Sequence, residues 1–133
     1  MKKQVATGLF INDQKEILLC LRDDKPDIDY PNTWGFIGGH INPGETELDA
    51  LKREVMEEIG FNVKNPLFIK TIDDGAGNEV FVYKIKINLD AKDLTLTEGQ
   101  KLEYFSLEKI KKLKNIPPCI IDLLCECKKE IFE

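Results

Sequence analysis

Three glutamates crowd the stretch REVMEEIG, residues 53–60, where Glu54, Glu57 and Glu58 follow Arg53 on consecutive turns of helix-forming sequence. At 3.6 residues per turn they gather within an arc of about 100°, flanking an apolar stripe of Leu48, Leu51, Val55 and Ile59. Charge runs are commonly the wet side of an amphipathic helix, and there such like-charge pairs cost only about 0.2–0.5 kcal/mol each. In a cleft the balance changes, because two carboxylates roughly 6 Å apart repel by about 3 kcal/mol at an effective dielectric of 20. A cluster in a cleft needs a cation. Mg²⁺ takes oxygen ligands and is commonly held by one or two carboxylates together with substrate phosphates. The helix by itself leaves both readings open.

The elements that must position this cluster are legible on either side of it. Residues 4–12 and 17–22, QVATGLFIN and ILLCLR, read as strands joined by a tight turn. A polar, proline-bearing loop, DDKPDIDYPN, follows, and TWGFIGGHI reads as a short strand running into a glycine pair. In NPGE, Gly44 is free to take a positive φ after Pro43. Thr46 with Asp49 marks a helix start, and Gly60 marks its stop. Beyond it LFIKTI, VFVYKIKI and KLEYFSL are strand-like, with DDGAGNE as a flexible acidic connection. Residues 107–114 and 117–129 are expected to be helices, the second opening on Pro117 and Pro118. The pattern predicts a mixed α/β domain.

At 133 residues and 42% hydrophobic, the chain suits one well-cored domain spanning residues 1–133. No apolar run approaches the ~20 residues of a membrane span, and the opening MKKQVATGLFINDQ lacks a signal-peptide core, so a cytoplasmic protein is expected. A net charge of −5 has the wrong sign for a broad nucleic-acid-binding surface. An anionic substrate therefore needs local help, from a metal or a few placed cations. Cys20, Cys119, Cys125 and Cys127 show no CxxC spacing, and the only histidine, His40, has no cysteine nearby. Reduced core cysteines are expected rather than zinc ligands or disulfides.

Loop and helix taken together give Gly39, five residues, Glu45, seven residues, then Arg53, Glu54, two residues, Glu57, Glu58, one residue, Gly60. This resembles the Nudix box, the signature of the Nudix hydrolases, and every fixed Gly, Glu and Arg of that pattern is present. Seven specified positions at roughly 6% usage each coincide by chance about once in several hundred million starts. Phe61 departs from the family's more usual aliphatic residue, and Ile37 stands where many members have a proline. Neither departure touches a charged position. The resemblance in strand order and in TEGQKLEYFSL extends over most of the chain.

The resemblance implies a Nudix fold, a mixed β-sheet sandwiched between α-helices, and hydrolysis of a nucleoside diphosphate linked to another group, such as a nucleoside triphosphate, an oxidised nucleotide or a nucleotide sugar. It implies Mg²⁺, or Mn²⁺ in its place, held by Glu54, Glu57 and Glu58 with the backbone carbonyl of Gly38, one glutamate serving as base. It implies structural support from Gly39, Glu45, Arg53 and Gly60, with Glu45 and Arg53 as an ion pair. Glu98 matches a position where some members place a further metal-binding or basic glutamate; Glu79 and Asp73 compete for that task. Arg22 is a candidate phosphate contact. Trp34 reads as packing rather than a base platform, and His40 sits at a variable position of the box.

The expected partner is thus a small nucleotide, with no nucleic-acid polymer and no membrane, and dimerisation is common enough in the family to admit a homodimer. The alternative is a nucleotide-binding sensor that keeps the fold without turnover, against which the intact glutamate set argues. Ile116, Ile120, Leu123, Leu124 and Cys127 recur at helical spacing. That stripe suits a partner helix, although core packing explains it as well.

Overall fold

Period-two alternation of large apolar side chains, with both phases buried, builds a sheet that must be covered on both faces. The computed structural model describes residues 3–133 and contains that sheet. Its strands are β1 Lys3–Ile11, β2 Ile17–Leu21, β3 Trp34–Gly35, β4 Ile37–His40, β5 Leu67–Asp73, β6 Asn78–Lys86 and β7 Lys101–Phe105. The helices are α1 Glu47–Ile59, α2 Leu107–Ile110, α3 Pro118–Glu126 and α4 Lys128–Phe132.

The order β3-β2-β1-β6-β5 forms the main path, with β7 paired to β2 and β4 paired to β1. β1 and β6 run parallel over nine pairs, from Lys3↔Asn78 to Ile11↔Lys86. On its other edge β1 serves two antiparallel partners: Phe10 and Ile11 pair with β2, while Val5 to Gly8 pair with β4. One edge shared by two strands forces them apart, and the site lies where they part.

Leu9, Ile11, Ile17, Leu19, Val80 and Val82 pack against Ile120, Leu123, Leu124 and Ile131 of the C-terminal helices. Ala6, Phe10, Leu18 and Ile85 pack against Ala50, Leu51, Val55 and Ile59 of α1. The sheet is therefore sandwiched between helices, the mixed α/β architecture expected. Among the described residues no helix is long and apolar enough to cross a membrane, and all four cysteines are free, Cys125 being exposed.

α1 begins and ends where its sequence signals lie. Thr46 Oγ1 accepts from Asp49 N–H, Asp49 in turn accepts from Thr46 N–H, and Gly60 closes the helix at φ 67°. The apolar stripe differs from expectation: Leu48, in the first turn, is exposed, and Ala50 is buried instead. At about 100° per residue the inward arc reads Ala50, Glu54, Glu58, Leu51, Val55, Ile59. Two of the three glutamates thus lie inside the covered face, not merely beside it.

The C-terminal region departs from the expected two helices. α2 stops at Ile110, and the second segment is broken at Cys127, whose φ of −110° and ψ of 31° leave the helical region. Phe61 meets Phe10 edge-on, ring centroids 5.8 Å apart, so the departure from an aliphatic residue is absorbed as packing.

Candidate active site

Arg53 organises the outer side of the glutamate cluster. Its Nε and Nη2 donate to both oxygens of Glu45 at 2.7 and 2.9 Å, a bidentate pair. Nη1 donates to Glu54 at 2.9 Å and to Glu57 at 3.4 Å, and Nη2 also reaches the carbonyl of His40 at 3.0 Å. One side chain therefore ties the loop after β4 to the exposed side of α1. The Arg53 hydrogen bond, helped by Asn42 N–H, holds the Glu45 carboxyl down at about 2. Glu57 is 58% exposed, against 19% for Glu54.

Glu58 faces the other way. It is largely covered, and Gly38 N–H donates to its Oε2 at 3.1 Å. Burial, then the charges of Glu54 and Glu98, push its carboxyl up to about 8. The local environment thus carries an excess of negative charge.

The glycine pair has two distinct jobs. A Cβ on Gly38 would lie 2.1 Å from the carbonyl oxygen of Ala6, so β4 reaches β1 only without a side chain there. A Cβ on Gly39 would lie 2.3–2.7 Å from the Glu54 carboxylate, which occupies that space.

Glu98 arrives from a loop some forty residues away. Thr97 N–H donates to Glu58 O at 3.0 Å and Thr97 Oγ1 to Glu57 O at 2.7 Å, capping carbonyls at the end of α1. Gln100 N–H donates to Leu21 O at 2.7 Å, and its Nε2 reaches Arg22 O and Asn32 Oδ1. Between these anchors Gly99 adopts φ 96°. The Glu98 carboxylate itself has no ion pair or hydrogen bond among the described residues. Nothing in the local sequence pattern marks Thr97 and Gln100 as the clamps, because their partners are remote in the chain.

Glu54, Glu58 and Glu98 line one cavity of about 400 Å³, together with Gly38, Gly39, His40, Arg22 and Trp34. A smaller recess of about 110 Å³ shares Arg22, Gly38, Glu58 and Glu98 and adds Lys25 and Cys20. Arg22 donates from Nε to Asp29 O at 2.9 Å, so it pins a loop as well as lining both spaces. Trp34 belongs mainly to the core, 4.8 Å from Phe105 in an edge contact. Asp73 and Glu79 line neither space. Glu79 instead accepts from Gln4 at 3.0 Å. Burial, with Glu58 nearby, pushes the Cys20 thiol up to about 11, which disfavours a cysteine nucleophile.

Among the described residues no three acidic, cysteine or histidine side chains are drawn tightly enough together to enclose a metal ion. What the site supplies is a group of hard oxygen donors around an open space, with Arg53 offsetting part of the charge of Glu54 and Glu57. That donor set fits a hard divalent cation whose remaining ligands are water and phosphate oxygens.

Comparison with known proteins bears on the family and the fold. The profile of the NUDIX domain matches residues 2–125. The nucleoside triphosphatase NudI of Escherichia fergusonii is 26% identical over 127 residues, covering 80% of this chain and 89% of the relative. The crystal structure of a MutT protein from Methanosarcina mazei Go1 superposes with a TM-score of 0.76 at 22% identity, covering 98% of this chain and 96% of that one. A NUDIX-family hydrolase from Clostridium perfringens gives 0.75 at 22% identity, covering 100% and 99%. The chain belongs to the Nudix family and is a pyrophosphohydrolase of that family, acting on phosphoric anhydride bonds.

Proposed function

We propose that this chain, acting as one domain, hydrolyses nucleoside triphosphates in a Mg²⁺-dependent reaction in the cytoplasm. The observation that carries the reading is the convergence of Glu54, Glu58 and Glu98 on a single cavity large enough for a nucleotide. The name of the NudI relative supports the triphosphate as substrate.

Glu54, Glu57 and Glu58, with the Gly38 carbonyl, would hold Mg²⁺, and Mn²⁺ in its place. When bound, the ion neutralises diphosphate oxygens and makes water a better nucleophile. Arg53 fixes the carboxylates of Glu54, on the cavity wall, and of Glu57, on the exposed side of α1, and Glu45 keeps Arg53 in place. Glu98, free of ion pairs, accepts the proton of the attacking water. The new P–O bond forms as the bond to the departing phosphate oxygen breaks. Arg22 steadies the phosphates from the cavity wall.

The test is product analysis by chromatography after incubation with Mg²⁺ or Mn²⁺ and a panel of nucleoside triphosphates, 8-oxo-dGTP, nucleotide sugars and ADP-ribose. Triphosphate cleavage that Glu57→Gln lowers sharply supports the reading. Cleavage of only the sugars or ADP-ribose replaces the proposed substrate class. Nucleotide binding without turnover of any compound moves the protein to the sensor reading.

A further inference from the structure

The end of the large cavity opposite the glutamates is also a built polar site. Asn78, at the start of β6, is 5% exposed and lines the cavity. Its Nδ2 donates to Asp74 Oδ2 at 2.7 Å and to Asp29 Oδ2 at 3.3 Å. Both neighbours are carboxylates that only accept, which fixes the amide orientation. Asn78 Oδ1 is left without a donor among the described residues, and it is not among the sealed unpaired atoms. That leaves it free to accept from a ligand in the cavity that Asn78 lines.

The two carboxylates are not equivalent. Asp74 Oδ1 already accepts from the N–H groups of Ala76 at 2.8 Å and Asn78 at 3.2 Å, so Asp74 is spent on its own turn. Asp29 has only the long contact from Asn78. Its loop is nonetheless fixed, by Arg22 donating to Asp29 O and by the Tyr30 hydroxyl donating to Asp74 O. The wall therefore presents two acceptors, Asp29 and Asn78 Oδ1, held by structure on both sides, with the Arg22 guanidinium beside the Asp29 backbone.

The strand between the two ends sets their spacing. Thr7, 8% exposed, lines the same cavity, although its unpaired Oγ1 is itself sealed from that space. Thr7 pairs with Gly38 and Lys3 pairs with Asn78. Four residues of β1, about 13 Å of strand, thus separate the glutamate end from the acceptor end. That is the scale of a nucleoside carrying its first phosphates. Val5, Phe36, Ile72, Val80 and Ile120 make the intervening walls apolar, as the face of a base requires.

We propose that Asp29 and Asn78 read the edge of a nucleobase that presents adjacent N–H donors, a ring N–H beside an exocyclic amine, as guanine does. Adenine and cytosine set a ring acceptor beside their amine, and uracil sets its ring N–H between carbonyls, so each turns at least one lone pair toward this wall. This rests on the nucleotide reading above for turnover, but base selection in binding does not depend on turnover.

The experiment measures affinity for GMP, IMP, AMP, CMP and UMP by calorimetry, and kcat/KM for the corresponding triphosphates, in the wild type and in Asp29→Asn. The variant keeps the shape of a rim side chain outside the hydrolytic group. GMP should bind roughly 10-fold or more tightly than IMP, which lacks the exocyclic amine, and Asp29→Asn should erase most of that difference. kcat/KM for GTP should fall through KM, while that for ATP should rise, because the amide of the variant can donate to the adenine ring nitrogen. Equal binding of all five monophosphates, or an equal loss on every base in the variant, overturns the proposal. Selective GMP binding without hydrolysis keeps base recognition and sinks the hydrolytic reading instead.

Discussion

The carboxylate of Glu54 occupies the space a side chain would need at Gly39, with the carboxyl carbon 2.3 Å from where a Cβ would stand. Gly38, its neighbour, is instead pressed on β1 backbone, 2.1 Å from Ala6 O. The two adjacent glycines should therefore fail differently. Gly39→Ala meets the movable end of a side chain, so stability should change by less than about 1.5 kcal/mol, while metal affinity drops roughly 10–100-fold. Gly38→Ala meets backbone and should cost about 1–3 kcal/mol or more. Denaturant melts together with Mg²⁺ titrations of both variants separate these outcomes; similar stability losses in the two would show that the distinction is wrong.

Glu58 is crowded by Glu54 and Glu98 and desolvated besides. Glu58→Gln should raise the melting temperature of protein kept in EDTA, because an amide needs neither a charge nor an added proton in that desolvated place. The same change should remove most of the metal-induced stabilisation, which in the wild type approaches about 2.7 kcal/mol at a hundredfold excess over Kd. Thermal scans with and without Mg²⁺ read both effects. A variant still stabilised by Mg²⁺ as much as the wild type would take Glu58 out of the ligand set.

Glu45 carries the pH dependence of the support network. Its folded pKa, about 2, lies below the ordinary glutamate value of roughly 4.3. The pairing with Arg53 therefore contributes stability that is fully present above about pH 4.3 and is lost as pH falls toward 2. The melting difference between wild type and Arg53→Met should be constant from pH 5 upward in that account and shrink between about pH 4.3 and 2. A difference independent of pH across that window would assign the effect of Arg53 to packing.

Thr97 places Glu98 without touching the cavity itself, through its bonds to the carbonyls of Glu57 and Glu58. Thr97→Val removes the hydroxyl donor but keeps the backbone one, at about 1 kcal/mol of stability. Turnover should fall more than that cost suggests, with kcat reduced and KM little changed, and Thr97→Ser should restore it. Loss of kcat that follows the loss of folded protein would reduce Thr97 to a structural cap.

Much of this was readable from local chemistry. Thr46, Asp49 and Gly60 mark the ends of α1 because capping is decided within a few residues, and the strands follow from alternation. The box positions fall close together in the chain for the same reason, lying in β4, the loop after it and α1. What depends on distant partners was not readable. The exposure of Leu48 and the burial of Ala50 depend on where α1 lies over the sheet. The break at Cys127 carries no glycine or proline to announce it. DDGAGNE, expected to be flexible, is tied by Asp73 and Asp74 accepting from their own following N–H groups. Its Asn78 meets Asp29 only because the β2–β3 loop folds over that hairpin.

The most direct test of the central claim is steady-state hydrolysis of a nucleoside triphosphate by the wild type and Glu58→Gln, each with Mg²⁺ and with EDTA. Mg²⁺-dependent cleavage by the wild type, lowered by roughly 100-fold or more in the variant, is the predicted result. Equal rates in the variant, or cleavage that persists undiminished in EDTA, would contradict the assignment of the glutamate cluster as a metal-holding catalytic centre.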